Sequence, residues 1–298
     1  MNPFRKFNRY FSEAIEIRNN RKIAKVIHAE TQPACHNRSK IACIFAHYCP
    51  DNKIKSYVVE MLQGIKKGGC DIVFVSSCGQ NLPLSELTKL SGLTICNIIR
   101  NNIGYDFGSW KAGLDYLPDL SSQYSAILFA NDSVYGPLYD LSPLLKKWLD
   151  RGPDVMSLTD SIERGYHLQT YFWGMNQKAI KSGFYRNFWY RYYGPLSDRS
   201  AVIRRYELVL AQRAKNLFGL TVGAFFPFEM VKEEAPDGDL ERLNPVHHAA
   251  LKLVSEKNFP FVKRELLERN PLQLENIDTL MKYLREQHPN IWSMISEA

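Results

Sequence analysis

The sequence predicts an α/β protein with a mostly parallel sheet covered by helices on both faces. Three observations carry this. Compact apolar runs, IACIFA at 41–46, IVFV at 72–75, ICNII at 95–99 and AILFA at 126–130, alternate with stretches of helical period. IACIFA, IVFV and AILFA are continuous, as strands buried on both sides are, and do not alternate polar and apolar. Each stops at polar residues, mostly Ser, Asn, Asp and Gly, and strands separated by helices imply parallel pairing.

The elements follow in order. Residues 1–38 carry Phe4, Phe7, Tyr10, Phe11, Ile15 and Ile17 among Arg and Lys, a helical spacing on a basic background. Such a segment either packs on the domain or lies on an anionic membrane surface. Ile41–Ala46 is a strand. Ile54, Tyr57, Val58, Met61, Leu62 and Ile65 mark one helix face, with Asp51 or Asn52 as cap and Gly68-Gly69 as stop. Asp71–Val75 is a strand, Leu82–Leu90 a short helix, and Ile95–Ile99 and Ala126–Ala130 the next strands. Leu141–Leu149 reads as a helix, Asp154–Leu158 and His167–Met175 as strands. Ala179–Tyr193 is an aromatic-rich helix whose rings belong to the core or, alternatively, wall an acceptor site. Arg199–Phe218 is a long helix, residues 220–228 a strand, and residues 232–244 a loop. From Asn244 the chain is helical and mixed, with Asn-Pro turns at 244–245 and 270–271. This divides the chain into a basic helical segment (1–38), the main α/β domain (39–243) and a C-terminal helical segment packed on it (244–298).

Composition narrows the class. The 298 residues are 45% hydrophobic, enough for a substantial core. The net charge of +7 points to a polyanionic partner such as phosphates or lipid headgroups. No dense basic run or nucleic-acid-binding signature occurs, so nucleic acid is not an expected partner. The six cysteines, at 35, 43, 49, 70, 78 and 96, form no CxxC and are expected to be free thiols in a reducing cytoplasm. Neither a signal-peptide pattern nor a run of about 18 apolar residues is present, so no membrane span is expected. The expected location is the cytoplasm, with the N-terminal segment able to sit at the inner face of the membrane.

Candidate chemistry gathers where strands end. Ligands of open α/β sheets bind beyond the carboxyl ends of the strands. Asp132, after AILFAN, stands there, and a single carboxylate with substrate phosphates can hold Mg²⁺ or Mn²⁺. The competing reading is an Asx-turn by Asn131 or Asp132. Asp106 lies in NNIGYDFGSWKAG, where Gly104 lets the backbone approach a ligand; it either accepts hydrogen bonds from a ribose or base, or caps the following helix. His47 and Tyr48 end the first strand, where a base would stack, and Ser76 ends the second. His167 and Gln169 lie in a polar-aromatic run suited to an acceptor. Glu207, on a helix, is a candidate general base or simply a solvated residue. GxSxG, HExxH and GxxxxGK[ST] are absent.

Taken together, HYCPDNKIKSYV, VFVSS, RNNIGYDFGSWKAGL, FANDSVYGPL, SLTDS, YHLQTYFWGM, YELVLAQ and FPFVKRELLERNP resemble the rhamnan synthesis protein F family over about residues 40–275. These are glycosyltransferases of bacterial surface polysaccharide assembly. The resemblance implies a GT-A-like fold. It sets Ser76 in the base-binding turn, Asn102, Gly104 and Asp106 in the second turn, and Asn131 and Asp132 at the Asp-x-Asp position. Glu207 opens an E-x-x-L-x-x-R match ending at Arg213. The first turn lacks aspartates, and the Asp-x-Asp position keeps one carboxylate.

The implied reaction is inverting transfer of a sugar, with dTDP-rhamnose the favoured donor and a glycan or lipid-linked glycan the acceptor. Glu207 is the expected base and Asp160 the alternate. Another donor such as a UDP-sugar, or a non-catalytic glycan-binding module, are the competing readings.

Overall fold

In the computed structural model, residues 3–31, 39–117 and 123–297 are described. Cys35 and the end of the basic segment fall outside them.

Helix α1 spans Pro3–Ile23, and strand β1, Val26–Thr31, follows directly. The centre of the molecule is four parallel strands: β2 (Ile41–His47), β3 (Cys70–Ser76), β4 (Thr94–Arg100) and β5 (Ala126–Asn131). β6 (Val134–Tyr135) leaves this layer. β7 (Val155–Ser161), β8 (His167–Leu168), β9 (Phe172–Asn176) and β10 (Val222–Phe226) extend it. The order is β1-β4-β3-β2-β5-β9-β7-β10, with β8 beside β7. β9 runs antiparallel between β5 and β7, and β10 is parallel to β7. A short β11, Val262–Lys263, pairs with β6.

The continuous apolar runs resolve into two cores because successive side chains point to opposite faces. Cys43 and Phe45 of β2, with Ile72 and Phe74 of β3, meet Tyr57, Val58, Met61, Leu62 and Ile65 of helix α2 (Ser56–Lys67) and the C-terminal helices. Ala42, Ile44 and Ala46, with Val73 and Val75, face Trp110 of helix α3 (Tyr105–Asp115) and the aromatic segment. There Phe129 and Trp173 stack at 4.4 Å between centroids, and Trp189 lies 5.4 Å from Phe129. Phe184, Phe188 and Trp189 are fully buried core residues. Truncating one such aromatic costs about 3–5 kcal/mol.

Several expectations are corrected. Residues 26–31, read as part of a helical segment, form an edge strand antiparallel to β4, because bonding to the open side of β4 satisfies their backbone. The expected strand 167–175 breaks at residues 169–171, whose polar side chains bond inward. The short helix expected over 82–90 is present as a 3₁₀ helix, Leu84–Leu90. Lys55 caps α2, not Asp51 or Asn52, and does so without a side-chain bond. The helix predicted over 199–218 is interrupted by a π-helical turn at Ile203–Glu207. The C-terminal segment is not wholly helical, since β11 belongs to it. Among the described residues no helix is long and apolar enough to cross a membrane.

Candidate active site

Strands β2 to β5 all present their carboxyl ends on one rim. Asn131 and Asp132 are buried there, with half-buried charged groups of both signs around them. Asp132 follows β5 and is 7% exposed. Its Oδ2 accepts the Tyr48 amide at 2.9 Å, tying the ends of β2 and β5 together. Burial pushes its carboxyl up from 3.8 to about 7, against the pull of the Tyr48 amide and Arg264. Of the two residues offered for an Asx-turn it is Asn131 that makes one: its Oδ1 accepts from the Ser133 amide at 3.1 Å and the Ser133 hydroxyl at 2.6 Å. Asn131 Nδ2 donates to Asp106 Oδ2 at 2.7 Å, which joins the two turns. Asp106 lies in the first turn of α3 and does not cap it. The N-cap is Gly104 at φ 88°, a left-handed backbone that favours glycine, with the Tyr193 hydroxyl 2.4 Å from where a Cβ would stand. Burial raises the Asp106 carboxyl above its usual range, and Glu207 reinforces this.

Glu207 arrives from the far half of the chain. It closes the π-helical turn, a feature that often marks functional positions. The Thr170 hydroxyl donates to its Oε2. Lys263 of β11 feels both Glu207 and Asp106. Burial lowers its ammonium to about 8, and the two carboxylates hold it from falling further. Lys263 Nζ donates to the Ser133 hydroxyl at 3.1 Å and lies 4.3 Å from the Tyr171 ring centroid. Arg264 donates through its amide to the Ser133 carbonyl at 3.1 Å and through Nη1 to the Asp132 carbonyl at 3.1 Å. The β6–β11 pairing sets Lys263 opposite Val134, which fixes both cations against the Asn131-Asp132-Ser133 turn.

The donor set bears on a metal. Among the described residues no group of three or more His, Cys, Asp and Glu could hold one. Asp132 keeps one oxygen clear of the Tyr48 bond. This fits a hard divalent ion whose remaining ligands are substrate oxygens and water, with Asp132 as the protein's contribution.

Other expected site residues have different work. His47 is 1% exposed, its ring packed against Phe74 at 5.2 Å with Nδ1 on the Ser76 hydroxyl at 3.1 Å. No base can stack on it, and burial lowers its imidazole to about 4. Ser76, fully buried, holds His47 and accepts the Cys78 amide. Tyr48 is exposed at the rim, and Asn102 is exposed in the turn after β4. Gln169 accepts from the Thr159 hydroxyl at 2.7 Å and donates to Asn244 at 3.2 Å, so both ends of its amide are engaged. His167 is buried, its Nδ1 2.9 Å from the Gly165 carbonyl. Asp160 accepts the Phe228 amide at 2.8 Å and shares its surroundings with Glu229 and Tyr166. It belongs to a different cluster from Asp132.

Lys263 and Arg264 are the residues that sequence reasoning missed. Their only local signal is a pair of cations closing the apolar run FPFV. A cavity of about 900 Å³ opens at the opposite, amino-terminal edge of the sheet, between Lys40, Lys146, Asp150 and Lys178. It holds none of the coupled carboxylates.

The model of the rhamnan synthesis protein F family matches residues 72–297. The chain belongs to that family. Membership places it among glycosyltransferases of polysaccharide synthesis. Virulence protein VirA of Vibrio anguillarum (strain ATCC 68554 / 775) is 28% identical over 261 residues, 79% of this chain and 81% of VirA. Uncharacterized protein y4gN of Sinorhizobium fredii (strain NBRC 101917 / NGR234) is 24% identical over 203 residues. That is 67% of this chain and 52% of y4gN, so the chain spans about half of that relative. Among solved structures, the glycosyltransferase GlyE of Streptococcus pneumoniae TIGR4 superposes with a TM-score of 0.43 at 12% identity, over 88% of this chain and 63% of GlyE. The mannosyltransferase PcManGT of Pyrobaculum calidifontis, solved with GDP-Man and Mn²⁺, gives 0.42 at 11%, over 91% and 76%. S. aureus TarS 1-349 gives 0.35 at 14% and is matched over 49% of its length, about half.

Proposed function

We propose that this rhamnan synthesis protein F family member transfers a sugar, with inversion, from a nucleoside-diphosphate sugar to a hydroxyl of a surface polysaccharide or its lipid-linked precursor. L-Rhamnose from dTDP-rhamnose is the favoured donor, and the fold is taken as GT-A-like. The observation that carries the reading is the meeting of Asp106, Asp132, Glu207 and Lys263 on one rim from three distant parts of the chain.

Each group has a role its chemistry suits. Tyr48 offers the exposed ring for the base, and Asp106 accepts from the ribose. Lys263 and Arg264 neutralise the charge that develops on the leaving diphosphate. Asp132 would hold Mg²⁺ or Mn²⁺, which supplies further charge neutralisation when bound. Glu207, oriented by Thr170, takes the proton from the acceptor hydroxyl as it attacks the anomeric carbon. The engaged amide of Gln169 and the buried His167 serve the acceptor side only by shaping it.

Glu207→Gln tests the reading. Turnover, followed as dTDP release with an acceptor glycan, is expected to fall by about 10²–10⁴, with donor affinity within about twofold of wild type. Retained turnover would remove Glu207 as base and return Asp160 to consideration.

A further inference from the structure

We propose that the outward face of α1 docks the chain on a bilayer surface that carries anionic lipid. This goes beyond the transferase reading, and vesicle binding is measured without donor, so the two fail separately.

Helix α1 is held along one face. Its inward face is seated on the far half of the domain. Glu13 is buried and pairs with Arg205 at 3.0 Å and Arg204 at 3.3 Å. Glu16 accepts the Ser197 amide at 2.7 Å. Asn20 donates to the Pro195 carbonyl at 3.1 Å and the Ser197 hydroxyl at 3.0 Å. Ile17 packs against Gly194, where a Cβ would come within 2.4 Å of it. Glu13 and Glu16 are the only acids of the helix, and both turn inward.

The opposite face is therefore left with cations and apolar groups. Phe11, Ile15, Arg18 and Lys22 recur at i, i+4, i+7 and i+11, one stripe of the helix. Phe11 is 62% and Ile15 49% exposed, and Arg18 and Lys22 are exposed beside them. Large apolar side chains left in water next to Arg and Lys, with no carboxylate of the same helix on that side, match the interfacial region of an anionic membrane. The apolar groups enter the acyl boundary and the cations meet headgroup phosphates. A protein partner would need acids to complement the same stripe. The helix is too polar to span a bilayer, so it lies in the interface plane.

The placement has a consequence for the rim. Asn101, next to the exposed turn after β4, donates through Nδ2 to the Ile23 carbonyl at 2.7 Å and through its amide to the Lys25 carbonyl at 3.1 Å. Arg204 and Arg205 lie in the π-helical turn that ends at Glu207. Docking through α1 thus holds the rim close to the membrane surface.

The test is flotation of the full chain with phosphatidylcholine vesicles, with and without about a third phosphatidylglycerol, at low and high salt. Wild type is expected to float only with anionic vesicles and to be released by salt. Arg18→Glu with Lys22→Glu is expected to weaken binding by about fivefold or more for each charge removed. Phe11→Ser with Ile15→Ser is expected to abolish flotation while circular dichroism and melting temperature stay as wild type. Absence of flotation, or equal flotation of all variants, overturns the proposal. So does a wild-type dimer in light scattering that the Phe11/Ile15 variant converts to monomer, since the face would then be an interface between copies.

Discussion

Asp132 and Asp154 are both buried aspartates at strand ends, on opposite edges of the same sheet, and they are treated oppositely by their surroundings. Asp154 precedes β7. Though buried, it receives Lys178 at 2.8 Å, the Thr221 amide at 2.9 Å and Asn176 at 3.1 Å. Those bonds hold its carboxyl down to about 2. Asp132 receives one backbone amide, stands near Asp106, and is pushed up to about 7. A carboxylate that only ties elements together is saturated by donors. One left short of them beside another acid keeps capacity for a ligand, at some cost to the fold. The same contrast separates Lys178, exposed on Asp154, from Lys263, half-buried and under the influence of two acids of the rim.

Four substitutions bear on this comparison. The largest effect is expected at Lys263. Replacing it by Met removes a half-buried cation of the rim, and turnover is expected to drop by about 10²–10³, with Lys263→Arg recovering part of it. Steady-state kinetics check this, and a change of less than about threefold would remove Lys263 from the chemistry.

Next is the pH dependence of Asp132. Its folded value of about 7 lies above the ordinary 3.8, so the folded chain binds the proton more tightly than the unfolded chain. The contribution to stability is full below about pH 4 and is lost as pH rises through 7. At about 1.4 kcal/mol per unit, the loss is up to about 4 kcal/mol. Asp132→Asn has no such proton to lose. Denaturant melts should show the variant gaining on wild type between pH 4 and 8, and parallel curves would contradict the unsatisfied carboxylate. Below pH 7, binding of Mn²⁺ should also release a proton.

Asp154→Ala carries the smallest effect and the opposite character. It strands the Thr221 amide and Asn176, and a loss of about 1–3 kcal/mol of stability is expected, with turnover per folded molecule unchanged. The Asp154 contribution has the reverse pH sign: present above the ordinary carboxylate range and lost as pH falls through about 2. Altered donor affinity in this variant would break the distinction between the two edges.

The parts of the fold legible in the sequence are those whose signal is local. The runs at 41–46, 72–75 and 126–130 became parallel strands because burial on both faces leaves an uninterrupted apolar record; 95–99 became the fourth with one polar residue, Asn97, bonded to Thr94 and Glu30. β1 was unreadable because VIHAET is half exposed, and an edge strand draws its stability from the neighbour it bonds. At the site, Asp106 and Asp132 were visible as acids at element ends, and Glu207 through the family resemblance alone. Lys263 and Arg264 were not, because their place depends on a two-residue pairing between β6 and β11 across about 130 positions. His47 misled for a related reason: a strand-end histidine reads as a rim residue, yet Phe74 and Ser76 draw its ring inward.

The most direct test of the central claim is the thermal shift produced by dTDP-rhamnose with Mn²⁺ in wild type, Asp132→Ala and Asp154→Asn. At a donor concentration about 100 times the dissociation constant, wild type should gain about 2.7 kcal/mol. Asp154→Asn should gain the same from its own lower baseline, and Asp132→Ala should gain almost nothing. Equal shifts in Asp132→Ala and wild type would contradict a donor site on the carboxyl-terminal rim.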